Sequence, residues 1–443
     1  MIQKILFTLI ALMLLFVDIN TIAIPYIFFS AALFLFFIYQ KKINELILAF
    51  TIFGYSYTLF INKLTGIVNL GLILAIVSCL FALQIILGAQ LIKKSFNATI
   101  VLYLLFFLTV VFSFFGIYTQ SYQLFKFQLL VLWFLIYFVS LLSLDDNVLK
   151  FDFESFLIIG TFLFIPHFSN AEYEGATMSP LNVWDTFSVL DDGIRGYNFD
   201  IITATRIAGI GLLAFLVYIL DFSFKKIYLI LFVLFFGIMI IICQTRQSII
   251  ALFLPILVLI LYNFSKERRN YFGIVIGLLF VAFSINSYLN YSESKGVESR
   301  IVSSVDGSSE EGTGREMIWE QAMMYIKQEG STTGFGNFTT FTRSATYPHN
   351  IFLEVYIEMG AFSLFILVAI VVLIMVELFK VFFVYEDNTK LELFLILATL
   401  YYLGLSQFSV DLPRNLSFLF TFILFVFIKR YNSYNIKLKK FKK

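Results

Sequence analysis

Apolar residues in this chain come in long blocks, and polar residues are confined to short breaks between them and to two longer segments, residues 167–205 and 290–349. A helix needs about 20 largely apolar residues to cross the hydrocarbon core of a bilayer. Against that length the pattern predicts fourteen spans, at residues 3–19, 21–39, 44–61, 66–91, 98–117, 123–143, 153–166, 206–222, 227–243, 246–263, 271–289, 350–378, 391–409 and 414–428. The first two are nearly continuous and the seventh is short, so the expectation is about 12 to 14 transmembrane helices. No small-x-small cleavage site follows the first block, which reads as an uncleaved signal anchor.

Composition supports the same class. The 443 residues are 60% hydrophobic, 19% aromatic and only 14% charged, where a soluble domain carries roughly a quarter charged residues. The expected fold is an all-α polytopic integral membrane protein, residues 1–443 forming a single transmembrane domain. Too little polar sequence remains to build a nucleic-acid surface, a disulfide scaffold or a soluble dinucleotide domain. Cys79 and Cys243 have neither metal-ligand spacing nor the setting for a disulfide. No internal repeat or matched pair of broken helices stands out, which weighs against a secondary transporter.

The net charge of +2 says little, but the placement of charge says more. With the N-terminus in the cytoplasm, 20 of the 31 basic residues fall in cytoplasmic segments, among them Lys41, Lys42, Lys225, Lys226, Arg268, Arg269 and the tail from Lys429 to Lys443. Cytoplasmic loops carry the excess of Lys and Arg, so both termini are expected to be cytoplasmic. The segments 167–205, a first outer loop, and 290–349, a large periplasmic loop, then share the outer face.

The 11 basic residues left outside include seven of the ten arginines but only four of the 21 lysines. Arginine presents a planar fork of donors that grips phosphate at two points, whereas lysine is a point charge. An outer face rich in arginine suits a lipid-linked phosphate. Arg246 sits between two apolar blocks with barely a loop, and a charge held at that boundary is a functional candidate. Arg206 heads the eighth block, and Arg195 lies eleven residues earlier in a polar loop. The competing structural reading has such arginines snorkelling to headgroups or pairing with Asp191, Asp192, Glu310 and Glu311.

Within the second outer segment, Thr313-Gly314-Arg315-Glu316 has the form of a capping box and predicts a helix start. Met317, Ile318, Trp319, Ala322, Met323, Tyr325 and Ile326 follow, an amphipathic stretch suited to the membrane surface or the outer mouth of the protein. Arg315 falls in the first turn, where free backbone N–H groups favour an anion, and its bland alternative is a solvated pair with Glu311. Gly334-Phe335-Gly336 reads as a turn. Pro348 suits the start of the twelfth span, and His349 stands at its outer end with Glu354 and Glu358 at helical spacing beyond. Imidazole can take a proton from a sugar hydroxyl near neutral pH, though a lone histidine is more often structural. His167, the other histidine, competes for the role.

Gly334-Phe335-Gly336, then Pro348-His349-Asn350-Ile351-Phe352-Leu353-Glu354 and Glu358-Met359-Gly360, resemble the C-terminal signature of the O-antigen polymerase and ligase family, the Wzy and WaaL type membrane proteins. Arg315 with Trp319 ahead of the glycine turn, and Arg246 heading a span, fit the same pattern. The resemblance implies a metal-independent, cofactor-free glycosyltransferase of GT-C-like architecture. Its donor would be an undecaprenyl-diphosphate-linked glycan at the periplasmic face of the inner membrane. The family's catalytic histidine falls on His349, its diphosphate-binding arginines on Arg246 and on Arg206 or Arg195, and its loop arginine on Arg315. Implied partners are the lipid-linked glycan, membrane lipids and a chain-length regulator, and no nucleic acid. One departure is that Thr245, Arg246 and Gln247 stand where many members have Ser-Arg and a small residue. A Phe- and Ile-rich, irregular chain favours a polymerase, with an O-antigen ligase as the alternative. A lipid-linked oligosaccharide flippase fits less well, because the charges collect at the outer ends of spans and not at mid-depth.

Overall fold

The computed structural model describes residues 22–65, 69–91, 98–115, 121–166, 172–173, 176–177, 201–219, 236–237, 246–265, 315–329, 338, 348–385, 388–407 and 415–441, with the single positions 4, 6, 7, 10 and 14. Among them are twelve α-helices: α1 Ala23–Tyr39, α2 Ile43–Thr65, α3 Asn69–Ile86, α4 Ala98–Phe115, α5 Ser121–Leu142, α6 Phe153–Phe164, α7 Ile201–Ile219, α8 Arg246–Ser265, α9 Arg315–Glu329, α10 Ile351–Phe383, α11 Lys390–Leu405 and α12 Ser417–Phe441. A 3₁₀ turn, Asp146–Lys150, precedes α6. Besides helices, the described residues include a two-residue antiparallel ladder, β1 Glu172–Tyr173 against β2 Ala176–Thr177, within the polar segment 167–205, and an isolated bridge between Leu91 and Asp145.

Eleven of the fourteen expected spans thus correspond to helices, and the blocks 3–19, 227–243 and 271–289 lie wholly or almost wholly outside the described residues. The expectation that Arg206 heads its span is corrected: α7 begins at Ile201, and Arg206 stands in its second turn. Thr205 and Arg206 are both buried in the fold.

Ile43–Asn62 and Ile351–Phe383 are long and apolar enough to cross a bilayer, and Ala23–Tyr39, Leu70–Ile86, Ile100–Ser113, Phe127–Leu142 and Ile250–Asn263 are apolar but shorter. In α10, Phe365, Val368, Val372, Val376, Phe379 and Phe383 are all exposed, Phe365 at 70%, and their three- and four-residue spacing places them in one stripe. In water such a stripe is a liability, while against lipid tails it costs nothing. The protein resides in a membrane.

The chain forms two compact units. The first comprises Met1–Leu91, Phe138–Ile249 and Leu259–Asp306. Its centre is α6, every residue of which is buried, packed against α2 and α7. Close approach to α2 depends on Gly160, where an added Cβ would stand 2.7 Å from the Phe53 ring. Hydroxyls complete the packing: Tyr26 donates to the Phe162 carbonyl, and Thr51 and Ser140 share a hydrogen bond of 2.7 Å.

Polar residues gather at the N-terminal end of α6. Asp152 caps the helix, accepting from the Ser155 amide at 3.3 Å and the Ser155 hydroxyl at 2.9 Å, and it also takes Lys4 at 2.8 Å and Lys42 at 3.2 Å. Its own amide donates to Glu45 at 2.8 Å. Burial alone would raise the Asp152 pKa, but the two ammoniums and the Ser155 hydroxyl outweigh it and hold the carboxyl well below the usual carboxylate range.

The second unit comprises Ile92–Tyr137, Ile250–Val258 and Gly307–Lys443. Helices α11 and α12 pack along each other, with Thr399 donating to Thr421 at 3.0 Å, and α10 packs on α4. Tyr137 stacks on Phe420 with ring centroids 4.6 Å apart. Thr389 and Glu392 form a full capping box on α11, and the buried Glu392 accepts from Lys429 at 3.2 Å and from Asn432 at 3.2 Å.

Two outcomes follow from this packing. Gly160→Ala forces the Phe53 ring out of its rotamer and lowers stability by about 1–3 kcal/mol, read as a fall in detergent-solubilised Tm. Asp152→Asn keeps the cap acceptor but removes the charge between Lys4 and Lys42, at a cost of about 1–3 kcal/mol for a partly exposed cluster. Because the folded pKa of Asp152 is depressed, its stabilising effect is in full force above the ordinary carboxylate range and is lost only as pH falls below it. The wild-type minus Asp152→Asn difference in Tm therefore stays constant from neutral pH into mild acid and shrinks only in strong acid.

Candidate functional site

The site is built around the entrance to α10. Sequence reading places Pro348 at the helix start, and the structure corrects this: the first helical residue is Ile351, and Asn350 is the N-cap. The reason is His349, whose φ of 54° lies in the left-handed region and breaks the helical path between proline and cap. A non-glycine residue there is uncommon, and histidine is one of the few types enriched in it. Such backbones persist only where neighbouring contacts fix them.

Those contacts come from three directions. The Asn350 side-chain oxygen accepts from the amides of Phe352 at 3.0 Å and Leu353 at 3.2 Å, satisfying two of the free N–H groups of α10. Ile351 N donates to the Ser406 carbonyl at 3.1 Å, and the Asn350 amide donates to Gln407 Oε1 at 3.3 Å, which clasps the turn to the C-terminal end of α11. The Trp319 indole N–H donates to the Pro348 carbonyl at 2.9 Å. Helix α9 reaches this position by burying Ala322 and Tyr325 with Phe338 and Ile357, supported by Ile318, Ile326, Leu353 and Tyr356. The predicted amphipathic helix is real, and its apolar face packs on α10 while Met317, Glu320 and Met324 stay exposed.

His349 is half-buried. Beyond it, Glu354 and Glu358 are both 0% exposed and occupy one face of α10, four residues apart. Carboxylates buried this deeply require charged or hydrogen-bonding neighbours. Gly360 then interrupts the helix with φ 84° and ψ 174°, a conformation essentially reserved for glycine. The Ser363 hydroxyl donates to the Met359 carbonyl at 2.7 Å beside that interruption, taking up an acceptor near the break. The segment 351–359 is thus a short platform set at an angle to the long apolar helix that follows.

Residues 230–368 match the family model described as O-antigen ligase. The match takes in the residues that carry the resemblance, from Arg246 to Gly360. No curated protein and no solved structure matches the chain. The matched segment contains Arg246, Arg315 and His349, whereas Arg195 and Arg206 precede it.

Arg246 and Arg315 are the first residues of α8 and α9, where free amides and the positive end of the helix dipole gather. Arg315 and His349 belong to the second unit, and Arg206, 5% exposed, belongs to the first. Arg195, His167, the Thr313 cap and the Gly334-Phe335-Gly336 turn lie outside the described residues. Among the described residues, no group of three or more His, Cys, Asp or Glu is placed to hold a metal ion. Sequence reading missed Asn350 as a cap, although an Asn directly before an apolar run is a helix-start signal. It also missed Ser406 and Gln407, for which no local signal exists.

Gly360→Ala is the informative change for this platform. It places a β-carbon in a conformation that only glycine adopts freely, at a cost of about 1–3 kcal/mol. We expect a lowered Tm together with lost product; a variant as stable and active as wild type would show that the bend is dispensable.

Proposed function

We propose that the chain is an O-antigen polymerase that joins undecaprenyl-diphosphate-linked repeat units at the periplasmic face of the inner membrane, with both termini in the cytoplasm. The observation that carries this reading is His349, fixed in a left-handed turn by Asn350, Trp319 and the end of α11, inside the segment that matches the family. A histidine held in a strained, over-determined turn fits a group that must meet a substrate hydroxyl in one orientation.

In the proposed reaction a ring nitrogen of His349 accepts the proton of an acceptor sugar hydroxyl as the oxygen attacks the anomeric carbon of the donor. The new glycosidic bond forms while the bond from the anomeric carbon to the diphosphate oxygen breaks, and its electron pair leaves on the polyprenyl diphosphate. That leaving group carries its charge away without needing a proton, provided cations meet it. Arg246 and Arg315 at helix N-termini, with Arg206 and Arg195, are assigned this task. No cofactor or metal is assigned. A chain-length regulator is assigned as a protein partner.

The description of the matching family favours one second reading, transfer of the finished glycan to lipid A-core by a ligase. The two differ in acceptor and share the donor chemistry.

The test is a deletion of the gene in its source strain, with the lipopolysaccharide ladder as readout. A ladder reduced to core plus one repeat unit supports the polymerase; loss of all O-antigen from the core, with long glycan left on the polyprenyl carrier, supports the ligase. Complementation with His349→Ala is expected to lower the transfer rate by about 10²–10⁴-fold, the usual worth of a general base. Arg246→Ala is expected to abolish product while the protein still inserts. Full ladder length with either variant would defeat the assignment.

A further inference from the structure

Trp319 is a half-buried residue on a helix that carries a candidate anion-binding arginine, yet its indole N–H is spent on the backbone carbonyl next to the candidate base. Pro348 has no amide N–H to donate, and His349 holds a left-handed φ of 54°. What holds it is borrowed from outside: Trp319 on the α9 side, and Ser406 and Gln407 on the α11 side, through Ile351 and Asn350. Gln407 is in turn fixed by donating to the Ser406 hydroxyl at 3.2 Å. Arg315 is the first residue of α9, four residues before Trp319.

We infer that Trp319 and Gln407 are positioning residues that clamp the left-handed His349 turn from its two sides, one from α9 and one from the end of α11. The inference rests on the proposed role of His349 and adds to it two residues that touch no substrate. It also assigns a purpose to the docking of α9 on α10 through Ala322, Tyr325 and Ile357: moving α9 moves the carbonyl that sets the histidine. The consequence is specific. Loss of the indole N–H leaves the histidine present and the donor site intact but lets the turn relax, so the rate falls and donor affinity does not.

The experiment uses full-length protein in membranes, with the lipid-linked glycan accumulated by the deletion strain as substrate. Trp319→Phe keeps the ring packing and removes the N–H. We expect kcat to fall at least tenfold with KM within twofold of wild type, and the limb of the pH profile that reports the base to shift or flatten. Gln407→Met, on the opposite side of the turn, is expected to act in the same direction, and Gln407→Glu, which keeps the acceptor oxygen for Asn350, to recover most of that loss. In the His349→Ala background Trp319→Phe should cost nothing further, because the residue acts through the histidine. A fully additive loss in the double variant overturns the inference, as does wild-type kcat and an unmoved pH profile in both single variants while His349→Ala shows its expected loss. Full activity of His349→Ala would instead bring down the catalytic reading on which the inference stands. Should Trp319→Phe fail to insert, the Gln407 pair alone decides between these outcomes.

Discussion

The constraint on which everything here depends is that a backbone amide or carbonyl buried among apolar side chains must find its partner within the protein. Helices meet this for their interior and fail at their ends and interruptions. The informative polar residues of this chain are found at those failures: Asn350 on the first amides of α10, Thr389 and Glu392 on those of α11, Asp152 on those of α6, and Ser363 beside the break at Gly360. Where the side chains are long enough to do a second thing, they do. Asp152 also gathers two lysines, and Glu392 also holds Lys429.

The entrance to α10 is the same constraint taken one step further. A left-handed residue before a cap leaves the chain with more open groups than one side chain can close, and the missing partners come from α9 and from the end of α11. A site made this way is precise because it is assembled from three elements, and it is fragile for the same reason. The glycine bend at 360 keeps that assembly separate from the lipid-facing length of the helix, so the same α-helix serves two solvents with two different sets of side chains.

Much of this was legible in the sequence. Hydrophobic block length located α1 to α8 and α10 to α12 because a membrane helix must be both long and apolar, and periodicity located α9 because one of its faces meets protein. The residues of the candidate site stand out in the sequence as rare types in unusual places: arginines in segments expected outside the cytoplasm and one histidine after a proline. The start of α7 was read five residues late, at Arg206, because the polar Thr203 and Thr205 before it made the block look shorter than the helix is. The clamp was invisible for a different reason. Trp319 and Gln407 stand 29 and 57 residues from the atoms they bind, and hydrogen bonds to backbone groups at such separations leave no spacing to read.

At the centre of the first unit, protein and not lipid is the solvent of a helix. Helix α6 has twelve residues, all buried, and at 1.5 Å per residue it extends about 18 Å, well short of a hydrocarbon core of roughly 30 Å. What it lacks in length it makes up in neighbours: α2 and α7 surround it, and Gly160 lets the Phe53 ring of α2 lie directly against its backbone.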